Sequence, residues 1–229
     1  MTSMAHLLAS EPLVRVGVGG SRRNCYRLGE SGYCVKFYKP QDECASGGMK
    51  GSIARDIERR RFDRKRNSSA MEVDYYHSHW LRMPDEVVSR LLPHVELVEH
   101  PEWGYGILET YLCNPDGTAV IPYQNEIRRQ RERPDVKREI YRQARDLLLV
   151  LIREAAYFYE PGNFHTLFRP DGAVETRIVD FEPCAKTFLQ PERWIPQYRR
   201  AKLRRKSRRY LAFLREHYSI DVDVETEIG

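Results

Sequence analysis

Residues 12–38 read PLVRVGVGGSRRNCYRLGESGYCVKFY, and this stretch sets the predicted architecture of the first part of the chain. Three short apolar runs, at 12–18, 24–28 and 33–38, are separated by glycine-containing segments. Apolar runs of this length with glycine between them are typical of strands joined by turns. The stretch therefore predicts a glycine-interrupted hairpin followed by a third strand.

Helical patterns interrupt the strands, and more strands follow. Residues 42–52 contain three glycines and two serines, which predicts a loop. Residues 53–66 and 69–82 have helical patterns, and residues 94–99 and 105–112 alternate as strands do. Together with the first stretch, these segments predict a small antiparallel sheet with helices inserted in it.

The remainder of the chain is mostly helical. Its longest amphipathic segment covers 135–157, and one helical face collects Ile140, Ala144, Leu147, Leu148, Leu151, Ile152 and Ala155. Around this segment we expect a charged helix at 124–133, a hairpin at 164–181 and a basic helix at 192–218. The fold class is therefore predicted as α+β, with one part at 1–113 and a helical part at 114–229.

Composition supports a folded protein. Of the 229 residues, 41% are hydrophobic, enough to build a core. No apolar run approaches the roughly 18 residues of a membrane span. The five cysteines are odd in number and never form a Cys-x-x-Cys pair, which argues against a disulfide framework or a zinc ribbon. With no basic, apolar leader at the N-terminus, these features favour a reduced, cytoplasmic protein.

Positive charge is concentrated in two segments. Residues 193–215 carry ten Lys and Arg and no acid, and residues 55–66 carry seven against three acids. Because the whole chain is +5 and these segments together carry +14, the remainder carries −9. Basic segments attract phosphate on a nucleotide, a nucleic acid or a membrane surface. The alternative interpretation is that each segment is a solvated helix face.

The first candidate binding residues are glycines between two predicted strands, Gly17, Gly19 and Gly20, followed by Ser21. A glycine-rich turn lets backbone amides approach phosphates, because no Cβ atom stands in the way. The same sequence also suits a flexible hairpin turn.

The second candidate is Lys36, a single lysine inside the apolar run Cys34-Val35-Lys36-Phe37. A lysine is costly to bury without a carboxylate partner. Glu72 is the expected partner, on a predicted helix that starts at a possible Ser69 cap three residues earlier, the spacing of a capping box. Asp74 and Glu58 are the alternative partners. Lys36 also fits an exposed position on an edge strand.

The third candidate is a pair of oxygen donors. Asn163 ends a Pro-Gly-Asn loop after the long helix, and Asp180 ends the strand Arg177-Ile178-Val179-Asp180. Amide and carboxylate oxygens suit magnesium, which also takes phosphates and water as ligands. Each residue alone is equally well a turn residue; their order along the chain favours a shared role.

These features occur in an order that resembles the protein-kinase-like superfamily, and more closely the bacterial PhoP-regulatory-network (YrbL-like) family. The resemblance covers roughly residues 13–218. The residues that carry it are Gly19 to Tyr26, Cys34-Val35-Lys36, Glu72 to Tyr76, Gly104-Tyr105-Gly106, Pro161-Gly162-Asn163 and Val179-Asp180-Phe181.

The resemblance implies a two-lobed kinase-like fold with a small antiparallel-sheet N-lobe and a reduced helical C-lobe, binding ATP and Mg²⁺ between the lobes. The resemblance implies that phosphates are held by Gly17, Gly19, Gly20 and Ser21, and that Lys36 contacts phosphates and pairs with Glu72. It implies that magnesium is held by Asn163 and Asp180. It also implies that adenine meets the backbone from Glu109 through Tyr111 to Leu112. A bacterial cytoplasmic location is also implied.

The sequence departs from the kinase pattern at the catalytic loop. A kinase carries its catalytic Asp five residues before the Asn, and here that position is Phe158, with Glu160 nearby. Asp-Phe-Gly is replaced by Asp-Phe-Glu, and only 49 residues follow Asp180. We therefore expect an ATP- and magnesium-binding protein that is an atypical kinase or a pseudokinase-like regulator, with slow or absent turnover. The alternative is a nucleic-acid-binding or scaffolding module that uses its basic segments.

Overall fold

The computed structural model describes residues 8, 11–16, 22–46, 48, 51–156, 164–181, 191 and 194–220. The chain divides into two compact units. One unit comprises residues 1–78 and 92–111, and the other comprises residues 79–91 and 112–229. The protein belongs to the α+β class, with a five-stranded antiparallel sheet in the N-terminal half, followed by helices and a small three-stranded sheet.

The first unit contains the five-stranded sheet, whose strand order is β1-β2-β3-β5-β4. All neighbouring strands are antiparallel. The strands are β1 (Leu13–Arg15), β2 (Arg23–Leu28), β3 (Tyr33–Tyr38), β4 (Val95–His100) and β5 (Gly104–Thr110). The long connection from β3 to β4 holds the helices of this unit.

The sheet has one apolar face and one charged face, because successive side chains of a strand point to opposite sides. Val35, Phe37 and Leu108 pack on the apolar face with Leu28 and Val98. The alternate residues of β2, β3 and β5 lie on the other face, which carries several ionisable side chains.

Three helices lie between β3 and β4 in this unit: α1 (Gln41–Ser46), α2 (Gly51–Arg61) and α3 (Ser68–Ser78). The segment 42–52 that the sequence predicted as a loop is partly helical, since residues 42–46 belong to α1 and residues 51–52 begin α2. Helix α1 begins directly after Pro40, and acidic residues occupy its first turn, as the helix dipole favours.

The predicted capping box at the start of α3 is wrong. The side-chain oxygen of Asn67 accepts hydrogen bonds from the backbone amides of Ser69 (2.8 Å) and Ala70 (3.2 Å). Asn67 therefore caps the helix, and an asparagine at this position satisfies amides that the helix leaves unpaired. Glu72 therefore has no capping role, and it forms an ion pair with Arg23.

The second unit is mainly helical. Its longest helices are α6 (Pro134–Arg153) and α7 (Pro196–Tyr218), and its shorter elements are a 3₁₀ turn (Trp80–Arg82), α4 (Asp85–Val88) and α5 (Tyr123–Arg129). The three-stranded sheet has the order β6-β7-β8, with β6 (Ile121–Pro122), β7 (Phe164–Phe168) and β8 (Val174–Ile178). The predicted hairpin at 164–181 corresponds to β7 and β8.

The apolar face predicted for the long helix forms part of the core of this unit. All seven of its members are buried, and Leu203, Leu211 and Leu214 of α7 are buried as well. The predicted helix continues to 157, but α6 ends at Arg153, so Ile152 lies in its last turn and Ala155 lies beyond its end. Among the described residues, no helix combines the length and the apolar character needed to cross a membrane.

Residues 79–91 belong to the second unit, although they precede β4 in the chain. The backbone amide of Ile178 donates to the carbonyl of Arg90 at 2.9 Å, and the guanidinium of Arg177 donates to the carbonyl of Ser89 at 2.6 Å. These bonds attach the segment to strand β8. The chain passes from the first unit to the second after residue 78 and again after residue 111, whereas the sequence analysis expected a single division at 113/114.

Candidate functional site

The charged face of the five-stranded sheet contains the candidate site. Lys36 lies on β3, opposite Cys25 of β2 and Ile107 of β5. Its ammonium nitrogen lies 2.6 Å from Oε1 of Glu109, which is on β5. The Glu109 side chain is 7% exposed and that of Lys36 is 25% exposed, so the ion pair is largely shielded from water.

The ion-pair partner of Lys36 therefore differs from the expected one. Glu72 of α3 is paired with Arg23 of β2, with 2.8 Å between the guanidinium nitrogen and the carboxylate oxygen. Arg23 and Lys36 share a face because Cys25, two residues after Arg23, is the register partner of Lys36.

Two ion pairs thus form a compact group of four charged side chains, which we call the charged cluster: Arg23, Lys36, Glu72 and Glu109. Two cations and two carboxylates make the cluster electrically neutral. Glu72 is only 2% exposed, so removal of one member leaves its partner charged and buried, which typically costs several kcal/mol.

The electrostatics of the cluster keep Lys36 charged. Burial alone would lower the pKa of Lys36, but the carboxylates of Glu109 and then Glu72 outweigh that effect, so the pKa lies above its ordinary value. Burial raises the pKa of Glu109, while the Lys36 ammonium opposes the rise. The ammonium group has three donor hydrogens, so a bond to Glu109 leaves others to bind an anion.

Two thiols border the cluster. The Sγ atom of Cys34 lies 3.7 Å from Oε1 of Glu109 and donates a hydrogen bond to it. A hydrogen bond between the two thiols lowers the pKa of Cys25, and Lys36 and Arg23 add to that effect. The same bond raises the pKa of Cys34. Cys34 therefore stays a neutral thiol beside the ion pairs.

Glu109 and Tyr111, which were predicted to lie at the adenine, form contacts within the first unit. Glu109 lies on β5, which has β3 on one side and β4 on the other, and its side chain belongs to the charged cluster. The backbone amide of Tyr111 donates to the carbonyl of Gly32 at 2.9 Å. The ring of Tyr111 lies under the guanidinium of Arg27, with 5.4 Å from its central carbon to the ring centroid.

Asp180 lies in the second unit, two residues after the end of β8, and is partly exposed. The next residue, Phe181, is buried and packs edge to face against Trp80, with 6.0 Å between ring centroids. The backbone that carries Asp180 is therefore held on one side by an aromatic contact within its own unit.

Several predicted site residues lie outside the described residues. They are Gly17, Gly19, Gly20, Ser21, Phe158, Glu160 and Asn163. Within the described part of the chain, no group of three or more His, Cys, Asp or Glu side chains is arranged to hold a metal ion. The proposed partnership of Asn163 with Asp180 on magnesium stays a prediction.

Sequence reasoning gave Arg23 no role and gave Glu109 only a backbone role. Alternation along Arg23-Asn24-Cys25 puts Arg23 and Cys25 on the same face of β2. Because Cys25 lies opposite Lys36 in the β2–β3 hairpin, this pattern could have placed Arg23 on the face of Lys36. Alternation also places Glu109 with Ile107 on one face of β5. What the sequence lacks is the strand order, which decides that β5 is the neighbour of β3.

We compared the chain with protein-family models, curated proteins and solved structures, and none of the three comparisons found a match.

Proposed function

We propose that this protein binds ATP with magnesium in the manner of a kinase-like protein, and that its phosphoryl transfer is slow or absent. The observation that carries the proposal is the buried pair of Lys36 and Glu109 inside the five-stranded sheet. A lysine kept charged in this setting offers a fixed cation to a phosphate group. The resemblance assigns that role to Lys36 and assigns magnesium to Asp180 and Asn163.

The architecture of the first unit supports the proposal. It contains a small antiparallel sheet, a lysine on the third strand and a buried glutamate on a helix that follows that strand. The direct pairing differs, because Arg23 takes the glutamate and Glu109 takes the lysine. Each cation is therefore held in position by a carboxylate, which orients the Lys36 ammonium for a phosphate group.

Slow or absent turnover follows from the sequence of the catalytic loop. Phe158 stands where a kinase has its catalytic Asp, and a phenyl ring accepts no proton. General-base assistance typically contributes about 10²–10⁴-fold to a rate. Positioning and charge neutralisation account for most of the remaining acceleration in phosphoryl transfer. Nucleotide binding is therefore the activity to test first.

The test is thermal unfolding with ATP, with and without magnesium. A ligand that binds only the folded state stabilises it by about 2.7 kcal/mol at a concentration of 100 Kd. We expect a magnesium-dependent rise in Tm that Asp180→Ala abolishes. Asp135→Ala, which changes an exposed aspartate of the same unit, should retain the rise.

The contribution of Lys36 needs a variant that leaves no unpaired buried charge. The double variant Lys36→Met/Glu109→Gln removes both members of the ion pair, and Lys65→Met serves as a surface control. We expect the double variant to weaken ATP binding at least tenfold in a calorimetric titration and the control to bind as the wild type does. Unchanged affinity in the double variant, or no Tm rise with millimolar ATP and magnesium, would contradict the proposal.

A further inference from the structure

The outward face of α7 carries arginines without acidic partners. Arg204, Arg205 and Arg209 are exposed, and none of them forms an ion pair with any carboxylate in the described part of the chain. Arg200 is exposed too, and it donates to the backbone carbonyl of Arg153 at 3.2 Å. No acidic residue lies between Trp194 and Arg215. Arg204, Arg205 and Arg209 therefore present positive charge that no carboxylate of the described residues neutralises.

Aromatic side chains lie on the same face. Tyr198 is 56% exposed and Phe213 is 46% exposed. Tyr198, Arg205, Arg209 and Phe213 follow one another at intervals of seven, four and four residues, which places them along one side of a helix. At 1.5 Å per residue, this row is about 22 Å long. We call these four residues the aromatic–arginine row.

The row is not needed to hold the helix in place. Leu203, Leu211 and Leu214, on the opposite side of α7, are buried in the core of the second unit. Lys137 of α6 donates to the backbone carbonyl of Tyr218 at 3.1 Å, which fixes the end of α7. Tyr198, Arg205 and Arg209 can therefore be changed without loss of the packing that folds the unit, whereas Phe213 also stacks on the ring of His217, with 5.0 Å between ring centroids.

We propose that the aromatic–arginine row, flanked by Arg204 and Arg208, binds single-stranded nucleic acid. Arginines neutralise phosphates, and exposed aromatic rings stack on bases that are not enclosed in a duplex. A bilayer surface fits less well, because interfacial helices insert a continuous apolar face. Here that face is buried within the protein, and arginines separate the exposed rings.

The test uses fluorescence anisotropy with a labelled twelve-nucleotide oligouridylate and, in parallel, an oligothymidylate of the same length. A duplex of equal length and vesicles containing anionic phospholipid are the competing ligands. We expect a single strand to bind more tightly than the duplex and more tightly than the vesicles, with an affinity that falls steeply as salt rises.

The decisive variant is Arg205→Gln/Arg209→Gln, and its matched control is Arg55→Gln/Arg59→Gln. The control removes two exposed arginines at the same four-residue spacing from α2. We expect at least tenfold weaker binding for the first variant and a salt slope reduced by about 1.4, because two phosphate contacts are lost. The control should bind as the wild type does.

A second variant, Tyr198→Ala/Phe213→Ala, tests stacking. We expect this variant to bind the single strand at least tenfold more weakly than the wild type does, with a smaller decrease in its affinity for the duplex. Equal loss in the α2 control, equal affinity for duplex and single strand, preferential binding to vesicles, or no binding at low salt would each overturn the proposal. Asp180→Ala should leave oligonucleotide binding unchanged, which separates this proposal from the proposed nucleotide site.

Discussion

The two basic segments of the chain look alike in sequence and differ in structure. In residues 55–66, four arginines have carboxylate partners: Arg60 pairs with Asp56, Arg61 with Glu58, Arg64 with Asp74, and Arg66 with Asp56. In α7, Arg204, Arg205 and Arg209 have no such partner among the described residues. From composition alone, both segments would be classified as basic segments that attract phosphate.

The difference shows that a count of charges does not identify a binding surface. Arg61 is 7% exposed and donates to Glu58 at 2.8 Å and to the carbonyl of Glu102 at 2.8 Å. It therefore belongs to the structure of the first unit. Arg204, Arg205 and Arg209 lie on a helix that is held by its buried leucines, and they form no ion pair with the described carboxylates, so their charge remains available to a partner.

The largest expected effect is on Arg61. Replacing it in Arg61→Gln removes a buried cation and leaves Glu58 and the carbonyls of Glu102 and Trp103 without their donor. We expect a loss of about 3 kcal/mol in the free energy of unfolding, measured by urea denaturation. Arg205→Gln should change stability by less than about 0.5 kcal/mol, as exposed substitutions usually do. Similar losses in both variants would remove the distinction.

The next effect concerns Gly104, which has a φ of +73° and lies against the end of α2. A Cβ atom on Gly104 would lie 2.2 Å from the carbonyl oxygen of Arg61, so the backbone must shift to accommodate it. We expect Gly104→Ala to destabilise the protein by about 2 kcal/mol more than Gly172→Ala. Gly172 has a φ of +80° but open space around it, so it reports conformational strain alone. Thermal unfolding of the two variants should separate these causes.

Charge reversal should have opposite signs in the two segments. Arg60→Glu replaces the pair with Asp56, 2.6 Å apart, by two like charges and should lower stability by about 0.5–1 kcal/mol. Arg205→Glu places a carboxylate four residues before Arg209 and should raise stability by about 0.3 kcal/mol. Denaturation in low and high salt is the measurement, and both effects should shrink as salt screens them.

The smallest effect is on His79, which reports the potential around α7. Burial, and then the charge of Arg199, lowers the pKa of His79 to about 4. Arg199→Gln should raise this pKa part of the way towards the ordinary value, because burial persists. An NMR titration of the imidazole protons measures it, and Arg59→Gln is the control that should have no effect.

The same histidine predicts a pH dependence of stability. Since the folded protein holds His79 with a lower pKa than the unfolded chain does, the unfolded state takes up the proton first. The free energy of unfolding is therefore unaffected by His79 above about pH 6.5 and decreases as the pH falls from there towards 4. A variant that carries His79→Asn should lose less stability over this interval.

Local patterns predicted much of the fold. Apolar runs separated by glycines predicted β2 and β3, alternation predicted β4 and β5, and the expected hairpin at 164–181 corresponds to β7 and β8. The helical period predicted the buried face of α6. These predictions succeed because each depends on the neighbours in sequence. The prediction that Ser69 caps α3 was wrong because Asn67, two residues earlier, accepts hydrogen bonds from the backbone amides at the start of the helix.

The candidate site was predicted only in part because its pairings depend on strand order. A lysine in an apolar strand indicates that some carboxylate is near Lys36, and Glu72 does act on its pKa. Which carboxylate touches the ammonium is decided by the pairing of β3 with β5, which brings Glu109 alongside. Arg23 is then left to neutralise Glu72.

The contacts around Arg61 also have a consequence for local opening. Asn67 donates from one side-chain nitrogen to the carbonyls of Arg60 (3.0 Å), Arg61 (3.2 Å) and Tyr105 (3.4 Å), while its oxygen caps α3. The end of α2, the beginning of α3 and the start of β5 are therefore all hydrogen-bonded to one side chain. In hydrogen-exchange experiments, the amides of these three segments should exchange as one cooperative unit with a common opening free energy.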